Sequence, residues 1–261
     1  LLYAVNCNTN NQEVSTSLGV LRWGLQIIEQ RKIANEEPLN KITEICDTGT
    51  FEAYEPEIFE KLRLYAGISE DSFSLSLSPD TLCCLNSDSK SGQYFWRSED
   101  GNIILKTLKA YEYRTLLSLL KPLYRHLLSD VSCIATILGV YKVITKEKTR
   151  YYLAAKNVFA GVYPSLSLSF FDLKGSTVGR KASASSVVAK DLDLISSGRS
   201  LSLGSPSRSL ILRAINRDAL FLSQHGLMDY SVLVAIEREA PPSSGSSLSP
   251  SLSSSLSFSS S

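Results

Sequence analysis

The segment FFDLKGSTVGR, residues 170–180, concentrates side chains that could bind a negatively charged group. Asp172, Lys174 and Arg180 stand here around two glycines. Glycine permits backbone conformations that other residues avoid, so the chain can bring its N–H groups close to a ligand. A lysine and an arginine beside bare N–H groups would suit a phosphate. The alternative is an ordinary surface turn with solvated charges, and this segment alone does not decide between the two.

A second candidate is a pair of opposite charges, Lys106 and Glu112. Lys106 ends the second strand-like run of a predicted hairpin, and Glu112 opens the predicted helix that follows. A strand lysine held by a helix carboxylate is one known way to position nucleotide phosphates. Two solvent-exposed charges would have the same spacing, and such pairs contribute only about 0–1 kcal/mol. From spacing alone, two solvent-exposed charges are the favoured interpretation.

Asp229, in the segment MDYS, lies between a predicted helix and a predicted strand. A carboxylate there could accept the proton of a hydroxyl group, and a helix-capping or turn aspartate is the alternative. His126 and His225 are single histidines on predicted helices, and we expect structural roles for both. The five cysteines include the adjacent pair Cys83–Cys84 and lack the spacing of metal ligands. They favour a reducing, cytosolic setting.

Length and composition limit the classes of protein to which the chain can belong. Its 261 residues suffice for one large domain or two lobes, and 27 basic residues against 26 acidic ones argue against a general nucleic-acid binder. The apolar run VSCIATILGVYKVI is too short for a membrane span and contains Lys142. The first residues lack the pattern of a signal peptide. They also lack an initiating methionine, Met228 being the only one, so we expect an internal piece of a longer protein.

The N-terminal part of the chain predicts one clear helix. Residues 1–50 are mixed, with helical spacing in LRWGLQIIEQ and a loop-like NCNTNNQ, and we assign them no role. Residues 54–68 predict a helix that ends at Gly67. The apolar stripe of this helix consists of Ile58, Phe59, Leu62 and Tyr65.

The middle of the chain predicts an antiparallel sheet that carries a helix. Residues 91–108 read as a hairpin around the Asp100–Gly101 pair. Residues 112–128 predict a helix that Pro122 must kink or break. Residues 133–159 then predict two more strands joined by a charged turn. Hairpin, helix and hairpin together indicate the α+β class.

The C-terminal part predicts a helix and a strand between serine-rich runs. Residues 210–226 predict an amphipathic helix that ends at Gly226, and residues 227–236 predict a turn and a strand. Ser-Leu alternation recurs in SFSLSLS, SLSLSF and RSLSLG, which could be strands or insertions. The tail from Pro241 has too few bulky residues for a core, and we predict disordered low complexity there.

Four segments, taken in order, carry a family resemblance: SKSGQYFWRSEDGNIILKTLKAYEYRTLLSLLKPLYRH, FDLKGSTVGRKAS, AKDLDL and FLSQHGLMDYSVLVAI. They resemble the phosphatidylinositol phosphate kinases, and among these the phosphatidylinositol 4-phosphate 5-kinases most. The similarity is collinear from about Phe51 to Glu239. The combination of DLKGS with MDYS is highly specific for this family, and it favours the functional interpretation of each candidate above.

The resemblance implies a two-lobed α+β fold distantly related to protein kinases. The implied domains are an N-terminal segment of unclear role (1–50), an N-terminal kinase lobe (51–156), a partial C-terminal kinase lobe (157–239) and a Ser-rich low-complexity tail (240–261). It also implies a peripheral protein on the cytoplasmic face of membranes, with the plasma membrane expected, that binds a phosphoinositide but no nucleic acid. A homodimer is implied as well.

The resemblance further implies which residues contact ATP and the lipid. Lys174 would lie near the transferred phosphoryl group, oriented with help from Asp172, and would bind substrate together with Arg180. Asp229 would align or deprotonate the inositol hydroxyl. The residues expected at the nucleotide are Lys90, Ser91 and Gly92 in a phosphate-covering loop, Lys106 with its helix partner Glu112, and Asn157, Val158 and Phe159 just past the hinge.

The expected reaction transfers the γ-phosphate of ATP to an inositol hydroxyl, converting phosphatidylinositol 4-phosphate to the 4,5-bisphosphate with Mg²⁺. One departure qualifies this expectation. The Ile-Ile-Asp metal-binding segment of the family does not occur in the 261 residues, so the metal ligands are not assigned. The alternative is a truncated, non-catalytic module that binds phosphoinositide or nucleotide.

Overall fold

The computed structural model describes residues 12–33, 40–78, 81–85, 93–161, 168–184, 186–201 and 203–237. Within these ranges the chain forms six α-helices and ten strands arranged in two sheets. The larger sheet is antiparallel throughout. This confirms the predicted α+β class.

The strands are β1 (Lys41–Cys46), β2 (Gly49–Tyr54), β3 (Leu82–Leu85), β4 (Phe95–Ser98), β5 (Ile103–Leu108), β6 (Ile137–Thr145), β7 (Thr149–Lys156), β8 (Leu168–Leu173), β9 (Val188–Lys190) and β10 (Val232–Glu237). The seven-stranded sheet has the order β1-β2-β6-β7-β5-β4-β3, and the three-stranded sheet has the order β10-β8-β9. β8 pairs antiparallel with β10 and parallel with β9.

The helices are α1 (Gln12–Ile33), α2 (Pro56–Tyr65), α3 (Glu70–Ser76), α4 (Ala110–Ser129), α5 (Asp191–Ser196) and α6 (Ser205–Gln224). The predicted helices at 54–68, 112–128 and 210–226 correspond to α2, α4 and α6. The predicted hairpins correspond to β4–β5 and β6–β7. At the β4–β5 turn Gly101 has φ 76°, and the Asp100 carboxylate accepts hydrogen bonds from Ser98 Oγ (2.5 Å) and the Asn102 amide (3.1 Å). Asp-Gly therefore makes the turn that its sequence predicts.

α1 covers one face of the seven-stranded sheet. Its apolar residues form one buried cluster with Phe51, Trp96 and Tyr152 of the strands. Tyr152 also donates a 2.7 Å hydrogen bond to Ser17 of α1 through its hydroxyl group. Residues 12–33 and 41–50, to which the sequence assigned no role, thus belong to this sheet and its helical cover. The expected domain boundary at residue 51 falls inside β2.

We expect Gly24→Ala to lower the free energy of unfolding by about 1–3 kcal/mol, because overpacking strains a close-packed core. A Cβ at Gly24 would lie 2.0 Å from the ring of Phe51, so α1 could not approach the sheet as closely. The matched control is Gly19→Ala on the same helix, where nothing lies within 4 Å of the new Cβ. Alanine favours the helix there, so stability should rise by about 0.5–1 kcal/mol. Chemical denaturation of both variants measures the difference, and equal changes would refute the close contact.

α2 and α4 cover the opposite face. Phe59 and Leu62 of α2 pack in one buried cluster with apolar residues of α4, β6 and β7. Pro122 was predicted to kink or break the helix, and α4 runs through it without a break, so of these two alternatives the break is wrong. Proline removes one hydrogen bond and crowds the preceding turn, but burial of Leu120 and Leu123 on either side holds the helix together.

The buried side of α2 differs from its predicted apolar stripe. Tyr65 is 47% exposed, whereas Arg63 is only 4% exposed. Arg63 Nη1 donates to the Leu138 carbonyl (2.6 Å), and its Nε and Nη2 bind the two carboxylate oxygens of Glu70 (2.5 and 2.8 Å). The register of β6 against β7 shifts next to Leu138, and this irregularity is where the guanidinium binds. The Leu138 carbonyl, which lies at the irregularity of β6, therefore explains why the charged side chain of Arg63 is buried.

The run SFSLSLS, expected to be a strand or an insertion, forms most of α3. A strand would place Phe73, Leu75 and Leu77 on one face. In the helix Phe73 and Leu77 are buried and Leu75 is 70% exposed. Ser69 caps the helix by accepting the Ser72 amide hydrogen (3.2 Å), and two acidic residues follow in the first turn. Local capping therefore outweighs the alternating pattern.

A polar joint connects the end of α4 to α6. The Asp218 carboxylate of α6 binds His126 Nε2 (2.7 Å), and it accepts hydrogen bonds from Ser132 Oγ (2.9 Å) and the Cys133 amide (2.5 Å). Arg217 donates to the carbonyl groups of His126, Asp130 (3.1 Å) and Val131 (3.0 Å). The His126 ring stacks on Phe221 at 4.2 Å. His126 thus has the structural role that was predicted for it.

Candidate active site

The DLKGS segment begins at the end of β8 and forms a turn whose backbone amides are hydrogen-bonded to a carboxylate. Gly175 has φ 69°, a conformation that glycine adopts without strain. Asp191, the first residue of α5, accepts hydrogen bonds from the amides of Lys174 (3.0 Å) and Gly175 (2.8 Å) through Oδ1. The backbone at Lys174 is therefore held by the first residue of α5.

Arg180 closes this turn by binding two carboxylates. Its Nε donates to Asp191 Oδ2 (2.8 Å), and its Nη2 lies 3.2 Å from Asp172 Oδ2 and also donates to the Asp172 carbonyl group. The Arg180 side chain is 11% exposed. Burial would raise the pKa of Asp191, but the guanidinium and the surrounding amides outweigh it and lower that pKa to about 2. Both charges therefore stay ionised.

These contacts differ from the expected roles of Asp172 and Arg180. Asp172 was expected to orient Lys174, yet its partner is Arg180. Arg180 was expected to bind substrate, yet its guanidinium is occupied by Asp172 and Asp191. In this structure both residues shape the turn that carries Lys174. A guanidinium with five donors in one plane suits such a bridge between carboxylates.

Lys174 and Asp229 meet because β8 and β10 are neighbours. The register pairs Leu173 with Val232, so the turn before β10 lies beside the turn after β8. The Lys174 ammonium group binds Asp229 Oδ1 directly. The Asp229 side chain is 82% exposed and its φ is 67°, which is unusual for a residue other than glycine. The hydrogen bond from Lys174 and its positive charge lower the pKa of Asp229.

Lys106 lies on the half-buried face of β5, in register with Phe95 and Leu153. Burial lowers the pKa of its ammonium group, and attraction to Glu112 opposes that shift. Among the described ion pairs, none joins the two residues directly. Glu112 instead accepts hydrogen bonds from Gln93 Nε2 (2.8 Å) and the Lys109 amide (2.6 Å), closing the first turn of α4. The expected pair is thus a longer-range attraction here.

Asn157 stands at the end of β7 and joins the β4–β5 turn to the following segment. Its amide donates to the Asn102 carbonyl (2.8 Å), and its Nδ2 donates to the Gly101 carbonyl (2.7 Å). Its Oδ1 accepts the Phe159 amide hydrogen (3.1 Å), and the Phe159 ring contacts Phe170 of β8 edge to face at 5.2 Å. Val158 is 50% exposed. The connection between the two sheets is therefore anchored on both sides.

We expect Asn157→Ala to lower the free energy of unfolding by about 1–3 kcal/mol, since it leaves the Gly101 carbonyl and the Phe159 amide without these partners. Asn157 is 8% exposed, so water replaces those bonds poorly. Val158→Ala, at the exposed neighbouring position, should change stability by less than about 0.5 kcal/mol. Thermal and chemical unfolding compare the two variants. A neutral Asn157→Ala would show that the anchor has no energetic role.

Some expected ligands cannot be placed. The predicted loop residues Lys90, Ser91 and Gly92 lie outside the described residues. In the ranges that the structure describes, no group of three or more His, Cys, Asp or Glu side chains is arranged to hold a metal ion. These ranges alone therefore assign no ligands to a magnesium ion. No helix in the same ranges is both long and apolar enough to cross a membrane.

Asp191 is the functional residue that sequence reasoning missed. It stands in the segment AKDLDL, which carries part of the family resemblance, but no role was inferred for it. Asp193 of the same segment accepts hydrogen bonds from the amides of Ala182 (2.8 Å) and Lys190 (3.0 Å). Two acids near the cationic DLKGSTVGRK stretch were the available signal. Their partners are mostly backbone amides, which leave no pattern of side-chain types.

Comparison with known proteins identifies the family. Residues 76–260 match the family model described as Phosphatidylinositol-4-phosphate 5-Kinase. The chain is 30% identical over 196 residues to phosphatidylinositol 5-phosphate 4-kinase type-2 alpha of Rattus norvegicus, a match that covers 71% of this chain and 47% of the relative. It is 31% identical over 196 residues to phosphatidylinositol 4-phosphate 5-kinase 9 of Arabidopsis thaliana, covering 72% of this chain and 23% of the relative.

A similar protein from Plasmodium falciparum, named phosphatidylinositol 4-phosphate 5-kinase, is 28% identical over 210 residues, which cover 71% of this chain and 12% of that protein. The chain spans about half the length of the type-2 alpha relatives that it matches. The family model nevertheless covers well over half of the chain, including the turns that carry Lys174 and Asp229. The chain therefore belongs to the phosphatidylinositol phosphate kinase family.

Proposed function

We propose that this chain transfers the γ-phosphoryl group of ATP to an inositol hydroxyl of a phosphatidylinositol phosphate, converting the 4-phosphate to the 4,5-bisphosphate. The observation that carries the proposal is the contact between Lys174 and Asp229. It unites the two most family-specific motifs at neighbouring strand ends, and it leaves the Asp229 carboxylate accessible to a hydroxyl group. Phosphoryl transfer depends mainly on such positioning and on charge neutralisation.

Each member of the pair has one role in this proposal. The Lys174 ammonium group binds oxygens of the phosphoryl group in transit, and α5 holds its backbone in place through Asp191. Asp229 accepts the hydroxyl proton while the inositol oxygen forms its bond to phosphorus and the bond to the leaving nucleoside diphosphate breaks. While Lys174 is bound to it, the pKa of Asp229 is lowered, so the carboxylate is ionised and free of a proton but is a weaker base. When Lys174 turns to the phosphoryl group, Asp229 becomes more basic.

ATP would bind under the half-buried face of the larger sheet. Lys106 offers an ammonium group there, and Asn157 and Val158 begin the connection to the second sheet. The loop with Lys90, Ser91 and Gly92 would cover the phosphates, and Glu112 would attract Lys106 from α4. In this two-lobed arrangement the seven-stranded sheet with α1 to α4 is the first lobe. The three-stranded sheet with α5 and α6 is the second lobe, which begins at about residue 157.

The lipid substrate places the reaction at a membrane surface. The protein would act there as a peripheral enzyme on the cytoplasmic face, with the plasma membrane as the expected location and a homodimer as the expected assembly. Magnesium belongs to the same proposal as the ion that neutralises nucleotide charge. Its ligands are not assigned, because the described residues form no suitable group.

The test is transfer of labelled phosphate from ATP to vesicles that contain phosphatidylinositol 4-phosphate, phosphatidylinositol 5-phosphate or phosphatidylinositol. We expect product on the 4-phosphate, identified as the 4,5-bisphosphate by enzymatic removal of either phosphate. Product on the 5-phosphate alone would overturn the assigned substrate but not the kinase. No product on any lipid, with ATP still bound, would favour the second candidate, a non-catalytic nucleotide-binding module. The lack of a metal-ligand group in the described ranges is the observation behind that candidate.

A further inference from the structure

One face of the larger sheet is only half-buried where α4 does not cover it. β4 and β5 alternate between residues buried toward α1 and half-buried residues on the other side. We call the second set the open sheet face, and it consists of Phe95, Arg97, Ile104 and Lys106. A sheet face that lacks a helical cover is accessible to a ligand.

Arg97 and Lys106 are neighbours on the open sheet face. The register pairs Arg97 with Ile104 and Phe95 with Lys106. Directly opposed residues share a face, as do residues two apart along a strand. Arg97 and Lys106 are therefore diagonal neighbours on adjacent strands, with side chains roughly 7–8 Å apart at their bases.

Both cations lack a direct carboxylate partner in the part of the chain that the structure describes. Arg97 Nε is buried and has no hydrogen-bond partner, and none of the described ion pairs includes Arg97. The Glu112 carboxylate nearest to Lys106 is engaged by Gln93 and Lys109. Two neighbouring cations without a direct ion pair favour the approach of an anion to this face.

Their order along the sheet indicates which part of a nucleotide each would meet. Arg97 lies closer than Lys106 to the β4–β5 turn, and this turn is hydrogen-bonded to Asn157 at the start of the connection between the sheets. Lys106 lies opposite Phe95, the first residue of β4. A nucleoside near Asn157 would have its first phosphate next to Arg97 and its outer phosphates next to Lys106.

We propose that Arg97 is a nucleotide-binding residue that holds the phosphate nearest the nucleoside, while Lys106 holds the outer phosphates. The proposal rests on the nucleotide-binding part of the proposed function. A guanidinium donates two parallel hydrogen bonds to phosphate oxygens, and none of the described ion pairs occupies this guanidinium. The ligand class is a nucleoside mono-, di- or triphosphate.

The test compares binding of ATP, ADP, AMP and adenosine to the full chain and to Arg97→Met, by displacement of a fluorescent ATP analogue. We expect ATP, ADP and AMP to bind about 10- to 100-fold more weakly to the variant, as for loss of a charge-assisted hydrogen bond, with adenosine unchanged. Arg97→Lys should recover part of the affinity. Lys106→Met should weaken ATP and ADP more than AMP. Arg114→Met, which removes an exposed arginine from α4, is the control for loss of one positive charge.

Three results would overturn the proposal. These are unchanged ATP binding by Arg97→Met, an equal loss of adenosine binding, and a Tm for Arg97→Met far below that of Arg97→Lys, which would assign the arginine to folding. The proposed function fails separately. If the unmodified chain binds ATP through Arg97 but transfers no phosphate, only the catalytic proposal falls. If the unmodified chain binds no nucleotide, both fall.

Discussion

Lys174→Met is expected to reduce lipid phosphorylation about 100- to 1,000-fold, the loss typical for removal of one preorganised charge donor from a transition state. Asp229→Asn is expected to reduce it about 100- to 10,000-fold, the range of a general base. The two side chains contact each other and act on the same bond-forming step, so the double variant should lose far less than the product of the two factors. Initial rates with labelled ATP and phosphatidylinositol 4-phosphate vesicles measure all three.

Lys181→Met is the matched control for Lys174→Met. Lys181 is exposed on the same loop, and its substitution removes the same positive charge. It should retain nearly full activity in the same vesicle assay. Both active-site variants should still bind ATP and keep the Tm of the unmodified chain, since Asp229 is largely exposed. Retention of more than half the activity in Lys174→Met or Asp229→Asn would remove that residue from the catalytic proposal.

Asp191→Ala is expected to lower the free energy of unfolding by roughly 3 kcal/mol, because it leaves the buried Arg180 with one carboxylate instead of two. It also frees the amides of Lys174 and Gly175, so the loop loses its anchor. We expect transfer to fall by a further factor of about 100 in protein that is still folded, since small misplacements of reacting groups cost that much. Denaturation curves and rates normalised to folded protein separate the two effects.

The pH dependence of stability gives an independent measurement of the same contacts. The pKa of Asp191 is depressed to about 2 in the folded chain, from an ordinary value of 3.8. Its contribution to stability is therefore complete above about pH 4 and is lost as the pH falls toward 2. In Asp191→Asn the free energy of unfolding should change less over this interval than in the unmodified chain. Identical slopes for both proteins would contradict an ionised, hydrogen-bonded Asp191.

Local sequence signals correctly predicted the elements in which the turn residues and the packing of the fold favour the same structure. Asp100–Gly101 predicted the β4–β5 hairpin, and Gly226 predicted the end of α6, where its φ is 69°. The signals failed where tertiary contacts decide. Arg63 is buried because the Leu138 carbonyl needs a hydrogen-bond donor. Leu75 faces solvent because Ser69 caps the N-terminus of α3 and the segment is therefore helical. Neither cause can be read from spacing.

In the candidate site, too, some residues could be predicted from the sequence, whereas their contacts depend on the fold. Lys174 and Asp229 stand in motifs whose similarity to a family implied their roles, and the pairing of β8 with β10 brings them together. The partner of Lys174 and the partners of Arg180 could not be predicted, since they depend on which of several acids the fold brings near. Asp191 was missed because it acts chiefly on backbone amides. A sequence shows which residues are acidic or basic, but the topology of the fold determines which acidic residue becomes the partner of a given basic residue.

The joint between α4 and α6 determines how Glu112 can move. Asp218 and Arg217 hold the C-terminal end of α4, whereas Glu112 lies in the first turn at the other end. α4 is also packed along its length, with Tyr113 buried next to Glu112, so a displacement of Glu112 relative to Lys106 requires the whole helix to tilt. The arm from His126 to Glu112 is about 21 Å long, and a tilt of about 5° moves Glu112 by about 2 Å. A small change at the α6 end is thereby magnified beside the lysine.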